Sequence, residues 1–236
     1  MFFIDWTYIV LVLPAVIFSL LMSALVNSSF KKYSNVFSSK GITAYDAARR
    51  VLEANGVEGV AIERVSGKLT DHYDPRTNVI RLSESVHDSM SVAAIGVACH
   101  EAGHAVQHAK KYVPIKIRNA IVPITNIGAK LSIPLVLIGI MLSYLGSFYS
   151  MIAYIGVALF GLCVIFQLIT LPTEFNASRR ALQAISGQGL LTDQEAVGAK
   201  KVLTAAALTY VAALAVTVMQ FLRLFFLVSG TSRRRN

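Results

Sequence analysis

Charged residues are scarce in this sequence. Only 15% of its 236 residues are Asp, Glu, Lys or Arg, whereas about 25% is usual for a soluble domain. Hydrophobic residues make up 55% of the chain, and its mean hydropathy is +0.59. The deficit of charge falls in a few long apolar runs, which argues against an ordinary soluble protein and predicts membrane spans.

Cysteine and acidic residues are also few. The two cysteines, Cys99 and Cys163, lie in apolar stretches and lack a CxxC spacing, so we exclude a disulfide framework and expect reduced, buried thiols. The sequence has 13 acidic and 22 basic residues, which gives a formal net charge of +9. The basic residues lie mainly beside the apolar runs, as membrane-flanking charges do. We therefore expect the lipid bilayer as a partner and no nucleic acid.

The apolar runs predict three or four transmembrane helices. Residues 4–26 are too long for a signal-peptide core and form a first transmembrane anchor. Residues 121–171 form a transmembrane hairpin. The last run, 202–228, contains Gln220 and Arg223, and it spans the membrane, packs against the catalytic region or lies partly in the membrane interface.

The placement of lysine and arginine predicts the orientation in the membrane. Basic residues follow the first run and flank the hairpin on both sides: Lys31, Lys32, Lys110, Lys111, Lys116, Arg118, Arg179 and Arg180. The positive-inside rule then puts residues 30–118 and 174–200 in the cytoplasm. The N-terminus and the uncharged loop 146–150 fall outside.

Residues 40–112 look soluble and contain two predicted helices. Thr43 is a good N-cap with Asp46 three residues later, and Gly56 marks the end of that helix. A second helix is expected to start near Ser85, with Asp88 completing its cap, and to run to about Lys111.

The segment between these helices predicts a small sheet. Gly59–Val65 and Lys68–Tyr73 are strand candidates that we expect to pair across Ser66-Gly67. Residues 74–77 read as a second turn, and Asn78–Ser83 as a third strand. The short third strand suits a sheet edge, to which an extended peptide could add as another strand.

The sequence His100-Glu101-Ala102-Gly103-His104 is the strongest chemical signal. On a helix the two histidines differ by about 40° of rotation and about 6 Å of rise, so both can reach one zinc ion. Glu101 is placed to act as the general base toward a zinc-activated water. HExxH also occurs by chance on exposed helices, but ionisable groups beside an apolar segment are costly to bury without a purpose.

A catalytic zinc site needs a third protein ligand. An uninterrupted helix carries His108 about 12 Å from His100, and Gln107 stands where a helix-breaking glycine would be needed, so we do not expect His108 to bind. Glu174 lies where the third span emerges. Two intervening spans return the chain to the same side, which favours Glu174 as the ligand over a surface carboxylate paired with arginines.

Beyond these residues, nearly the whole chain resembles the YugP-type bacterial membrane zinc metallopeptidases. The motifs that carry the resemblance are Asp71–Thr77, Asn78–Ser83, Ser91–Ala94 leading into His100–Gln107, Leu171-Pro172 with Glu174-Phe175, Ala177–Arg180 and Ala207–Val211. The resemblance implies a zinc-dependent peptidase of the bacterial plasma membrane. It also implies similarity to the HtpX and CAAX-prenyl peptidases, which likewise place membrane helices between HExxH and a glutamate ligand.

That wider class usually follows its glutamate with an Asp four residues later, which orients a ligand histidine. Here this position holds Ser178, so Asn176, or Ser178 through its hydroxyl, is expected to substitute. Candidate donors to an oxyanion are Arg179, Arg180, Tyr210 and His72.

The sequence thus predicts a mainly α, integral membrane protein with a zincin-like α+β catalytic region, a small sheet plus the HExxH helix. Residues 40–112 form the metallopeptidase region, 172–201 the third-ligand helix and connector, and 202–228 a C-terminal apolar helix. We expect a gluzincin-like endopeptidase with one zinc ion per chain, held by His100, His104 and Glu174. Its substrates are peptides or proteins, membrane proteins among them, and its active site faces the cytoplasm. The alternative is a catalytically inactive, zinc-binding membrane adaptor.

Overall fold

The structure, a computed structural model, describes residues 5–67 and 69–233. Within these ranges the chain forms six α-helices and three β-strands. After a π-helical turn, Tyr8–Val12, the elements in chain order are α1 (Leu13–Ser34), α2 (Ala44–Ala54), β1 (Ala61–Val65), β2 (His72–Asp74), β3 (Val79–Ser83), α3 (Val92–Ala109), α4 (Val113–Met141), α5 (Ser147–Gly187) and α6 (Asp193–Arg233).

Four helices in the described part of the chain are long and apolar enough to cross a membrane. They are Tyr8–Ser34, Val113–Met141, Phe148–Gly187 and Asp193–Gly230. The last of these contains the run 202–228, so that run has the length and composition of a span. The predicted fold class, a mainly α multi-pass membrane protein with a small sheet, is confirmed.

The chain divides into two compact units. The site unit comprises Met22–Lys116 and Pro172–Thr209, and the helical unit comprises the described residues of Met1–Leu21, Ile117–Leu171 and Tyr210–Asn236. The segment boundaries predicted from the sequence describe functional regions, which this division into compact units does not test, so they stay predictions.

The helix predicted after Thr43 is confirmed. The Thr43 side chain accepts a hydrogen bond from the Asp46 backbone N–H, and the Asp46 side chain accepts from the backbone N–H of Thr43. This reciprocal cap satisfies two backbone donors that a helix start leaves without partners. Gly56 follows the helix with a positive φ of 64°, a conformation that glycine adopts without strain.

The predicted pairing of the first two strands is wrong. The sheet order is β1-β3-β2: β1 runs parallel to β3, and only β2 and β3 form an antiparallel pair, across the turn at 75–78. The composition of β3 explains this, because Val79, Ile80 and Leu82 are buried and a strand covered on both faces belongs in the middle of a sheet. Lys68, at the start of the predicted second strand, lies outside the described residues.

The expectation that Asn78–Ser83 forms a sheet edge is therefore also wrong. Both sides of β3 are paired, so no peptide can add to it. The edges are β1 and β2. Of these, β1 carries Glu63 and Arg64, charged side chains of the kind that protect an edge from further pairing.

The metal-site helix begins later than predicted. Residues 84–88 form turns and α3 starts at Val92, where the Ser91 side chain accepts a hydrogen bond from the Ala94 backbone N–H. Asp88 does not cap this helix. It pairs instead with Arg64 and, at 2.6 Å, with His87 Nδ1.

Helix α3 lies in the densely packed core of the site unit. A Cβ added at Gly103 would come within 2.8 Å of the Ala177 carbonyl oxygen, so glycine allows α3 and α5 to approach closely here. Cys99 is fully buried in the same core, and burial raises the pKa of its thiol to about 12. It is a free packing thiol, as expected, whereas Cys163 is free but only partly buried.

Helices of the helical unit pack through small residues. A Cβ at Gly156 would come within 2.7 Å of the Ser132 carbonyl oxygen, and one at Gly139 within 2.4 Å of the Ala153 nitrogen. The buried Arg223 donates through Nε to Asp5 Oδ1 at 3.1 Å, and its guanidinium lies 5.4 Å from the centre of the Tyr8 ring.

Candidate metal centre

Both histidines of HExxH lie on one face of α3. His104 is buried and His100 is nearly so, and their Nε2 atoms lie 3.2 Å apart. The spacing follows from helix geometry, since residues four apart stand one above the other. The helix continues to Ala109, as the sequence predicts, so no break brings a later residue into this face.

Glu174 reaches the same point from α5. That helix continues through Pro172 without ending, and it carries the carboxylate into the site unit as part of the third apolar helix. Glu174 Oε2 lies 3.3 Å from His100 Nε2 and 3.4 Å from His104 Nε2, and the side chain is buried. Glu174, which the sequence predicts as the third ligand, therefore lies close to both histidines in the fold.

The donor set fits a zinc ion. Ligands at about 2.0–2.1 Å from a tetrahedral centre are about 3.3–3.4 Å from one another. The three separations here are 3.2, 3.3 and 3.4 Å. The group can hold a metal ion; a zinc ion held by two imidazoles and one carboxylate would keep one open position for a water or substrate.

Glu101 lies beside this group and not in it. Its side chain is buried and accepts a hydrogen bond from the backbone N–H of Tyr73 in β2. Burial raises the pKa of Glu101 to about 7; His100 lowers it, while the carboxylates of Glu174 and Asp71 raise it further. A carboxyl group in this range exchanges its proton readily near neutral pH.

His108 lies outside the group, as expected. It is exposed near the end of α3, and its Nδ1 atom lies 3.1 Å from the Tyr73 hydroxyl.

The structure places Ser178 next to His100, one of the two histidines predicted to bind zinc. Its hydroxyl oxygen lies 3.1 Å from His100 Nδ1, the ring atom that faces away from the cluster. Asn176 does not contact a ligand directly; its Oδ1 accepts hydrogen bonds from Gln107 and Arg180. Their roles stay predictions, although Ser178 has the position of the Asp in the wider class.

Sequence reasoning missed Gln107. It served above only as evidence that the helix continues, yet it is fully buried and its Oε1 lies 3.1 Å from His104 Nδ1. A signal was available, because residues three apart on a helix are neighbours. An amide three residues after a ligand histidine, on an apolar helix, is therefore well placed to orient that histidine.

The remaining candidates are more scattered. Arg179 is exposed and lines a cavity of about 440 Å³ that also touches Ser178. Arg180 donates to Asn176, and His72 Nδ1 lies 2.7 Å from the Thr70 carbonyl oxygen. Tyr210 lies on α6 in the helical unit. These positions do not single out one oxyanion donor.

Comparison with known proteins agrees with this geometry. Residues 8–229 match the family described as "Putative neutral zinc metallopeptidase". The chain is 47% identical over 211 residues to the "Putative membrane protease YugP" of Bacillus subtilis (strain 168), a match that covers 89% of this chain and 91% of the relative. No solved structure matches. With nearly its full length matched, the chain belongs to this family of zinc metallopeptidases.

Proposed function

We propose that this protein is a zinc-dependent endopeptidase of the bacterial plasma membrane. His100, His104 and Glu174 hold one zinc ion, and Glu101 is the general base. The observation that carries the proposal is the tetrahedral spacing of the three ligand atoms, at 3.2, 3.3 and 3.4 Å, next to a buried carboxylate that does not belong to the ligand set.

The chemistry of the metal is that of a Lewis acid: when bound, zinc polarises a carbonyl oxygen and makes a water molecule more acidic. Glu101 takes the proton from that water and later delivers it to the leaving amine. The Tyr73 backbone N–H holds the carboxylate in place for this transfer. Burial raises the pKa of Glu101 above that of a solvated carboxyl group, which favours proton uptake by this residue.

The cavity beside Ser178 offers a place for an apolar side chain of the substrate. Its walls come from α5 and α6: Phe175, Ser178, Arg179, Leu182, Gln183, Ser186, Leu203, Thr204 and Ala207. Ser178 lines this cavity, and its hydroxyl oxygen also lies 3.1 Å from His100 Nδ1, so one side chain separates the cavity from the cluster. The alternative function, an inactive adaptor with structural zinc, gains no support, because such sites usually have four protein ligands and the described residues bring three together here.

The deciding experiment compares wild type with Glu101→Gln. Both are purified in detergent, their zinc content is measured, and cleavage of an unstructured protein substrate is followed. We expect equal zinc and a loss of cleavage of about 10²–10⁴-fold, because the amide has nearly the same size but accepts no proton. Removing zinc with a chelator should abolish cleavage, and restoring it should recover wild type alone.

Two outcomes contradict the proposal. Substantial cleavage by zinc-loaded Glu101→Gln overturns the general-base role. Wild-type protein that holds zinc but cleaves nothing, across several unfolded substrates, favours the inactive adaptor.

We further propose that the active site faces the cytoplasm. The support is the distribution of Lys and Arg around the first three apolar runs. In intact cells, a membrane-impermeant thiol reagent is expected to label Ser147→Cys and not Ser66→Cys. The reverse pattern places the active site outside.

A further inference from the structure

A chain of hydrogen bonds connects His104 to Arg180 through two side-chain amides. Gln107 Oε1 lies 3.1 Å from His104 Nδ1. Gln107 Nε2 donates to the Thr173 carbonyl oxygen at 2.8 Å and to Asn176 Oδ1 at 3.0 Å. Arg180 Nε donates to the same Asn176 oxygen at 2.7 Å. The path thus joins the HExxH helix to the turn of α5 that follows Glu174.

The donor and acceptor of every hydrogen bond in this series follow from two groups, the Arg180 guanidinium and the Thr173 carbonyl. A guanidinium only donates, so the Asn176 atom that faces Arg180 is its oxygen. A peptide carbonyl only accepts, so the Gln107 atom that faces Thr173 is its nitrogen. Both constraints orient the Gln107 amide the same way, with Oε1 toward His104. Because Oε1 can only accept, His104 Nδ1 carries the hydrogen of that bond.

This direction fixes the tautomer of His104. A neutral imidazole has one N–H, so a hydrogen on Nδ1 leaves a lone pair on Nε2. Nε2 is the atom that lies 3.2 Å from His100 Nε2 and 3.4 Å from Glu174 Oε2. A metal ligand must present that lone pair, and the hydrogen-bond chain supplies it whenever the His104 ring is neutral.

We propose that Gln107, Asn176 and Arg180 are positioning residues that hold His104 in its Nδ1–H tautomer and so prepare Nε2 for zinc. The proposal rests on the proposed function only in naming zinc as the ion. Burial strengthens the effect, because Gln107 and the Thr173 side chain are fully buried and water cannot replace a lost partner. Flipping the amide would set its NH₂ group against the His104 N–H and its oxygen against the Thr173 carbonyl.

The first test measures zinc affinity, by chelator competition on purified protein. Gln107→Leu keeps the side-chain volume but removes the acceptor, and we expect about 10–100-fold weaker binding, as for other outer contacts of metal ligands. Arg180→Ala should weaken binding less, because Thr173 still orients the amide. Arg50→Ala is the control: it removes an exposed arginine on α2, within the same unit and outside the proposed site, and should leave zinc affinity unchanged.

Gln107→Glu tests the mechanism more closely. A carboxylate still accepts from His104 Nδ1, so this variant should bind zinc more tightly than Gln107→Leu even though it loses the bond to Thr173. Packing alone predicts the opposite order, because a buried carboxylate facing the Thr173 carbonyl is costlier than leucine.

The second test reads the tautomer in the metal-free protein, from histidine nitrogen chemical shifts. Wild type should show a single Nδ1–H form for His104, and Arg180→Ala a mixture. Arg180 is only partly buried, so this variant serves if Gln107→Leu fails to fold. Thermal unfolding of each metal-free variant separates folding defects from weak metal binding.

The outcomes distinguish the two proposals. If wild type binds zinc tightly and both Gln107→Leu and Arg180→Ala bind it equally well, the positioning role is overturned and the proposed function stands. If wild type binds no zinc, the proposed function fails, and the tautomer measurement alone decides whether the amide chain orients His104.

Discussion

Each of the two units contains a group of charged or ionisable side chains that is largely buried, but the two groups differ in the charges that they bring together. In the helical unit, Arg223 meets Asp5, a cation against an anion at 3.1 Å. In the site unit, two imidazole nitrogens and a carboxylate oxygen point at one another within 3.2–3.4 Å. The first group pairs opposite charges, whereas the second places three atoms that can each donate a lone pair within reach of one metal ion.

The difference separates a structural ion pair from a candidate active site. Burial alone does not distinguish them, since Arg223 and Glu174 are both buried. The sign of the charges and the direction of the lone pairs do. The predictions below test whether the two groups respond differently to the same kind of change.

The largest expected effect is on zinc binding by Glu174→Ala. This variant removes one of three ligand atoms, so zinc affinity should fall by more than about 100-fold, beyond what outer contacts usually contribute. His108→Ala is the matched control, because it removes a nearby exposed imidazole on the same helix as the ligands. Zinc per chain, measured after dialysis, checks both variants.

If His108→Ala empties the site and Glu174→Ala does not, the cluster identified here is not the metal site. Equal retention by both variants would leave His100 and His104 as the only ligands among these residues, which is too few for the proposed chemistry.

Features that depend on residues close together in the sequence, or on composition, could be predicted from the sequence. HExxH, the cap at Thr43 and the long apolar helices depend on neighbours within a few positions or on overall composition. Glu174 needed a longer argument, the parity of two membrane spans, and that argument selected a residue close to both histidines.

Features that depend on tertiary packing could not be predicted. The hairpin between the first two strands looked sound locally, but the burial of Val79 on one face and of Ile80 and Leu82 on the other puts β3 in the middle of the sheet. Gln107 was missed because its partners, Thr173 and Asn176, are more than 60 residues away and meet it only in the fold.

An intermediate effect is expected from alanine at two tightly packed glycines, one in each unit. A Cβ at Gly103 would lie 2.8 Å from the Ala177 carbonyl oxygen, and one at Gly156 would lie 2.7 Å from that of Ser132. Each alanine should destabilise its unit by about 1–3 kcal/mol, as overpacking usually does. Only Gly103→Ala separates the two helices that carry the proposed zinc ligands, so it alone should also weaken zinc binding.

Chelator competition and thermal unfolding on the same preparations check this pair. A similar loss of zinc affinity in both variants would show that the site responds to general destabilisation and not to the spacing of α3 and α5.

The smallest expected effect on zinc binding comes from the ion pair of the helical unit, whose loss should affect stability alone. Asp5→Ala leaves the buried guanidinium without its carboxylate and should cost about 1–3 kcal/mol of unfolding free energy. Arg223→Met should cost less, because the Asp5 side chain is 28% exposed and can be solvated, whereas Arg223 is 7% exposed. The double variant should be more stable than Asp5→Ala alone, since apolar replacements of a buried pair are often tolerated. Unfolding in detergent measures all three, and zinc affinity should stay at the wild-type value throughout. A loss of zinc in Asp5→Ala would mean that this ion pair also supports the metal site, and the distinction between the two groups would then fail.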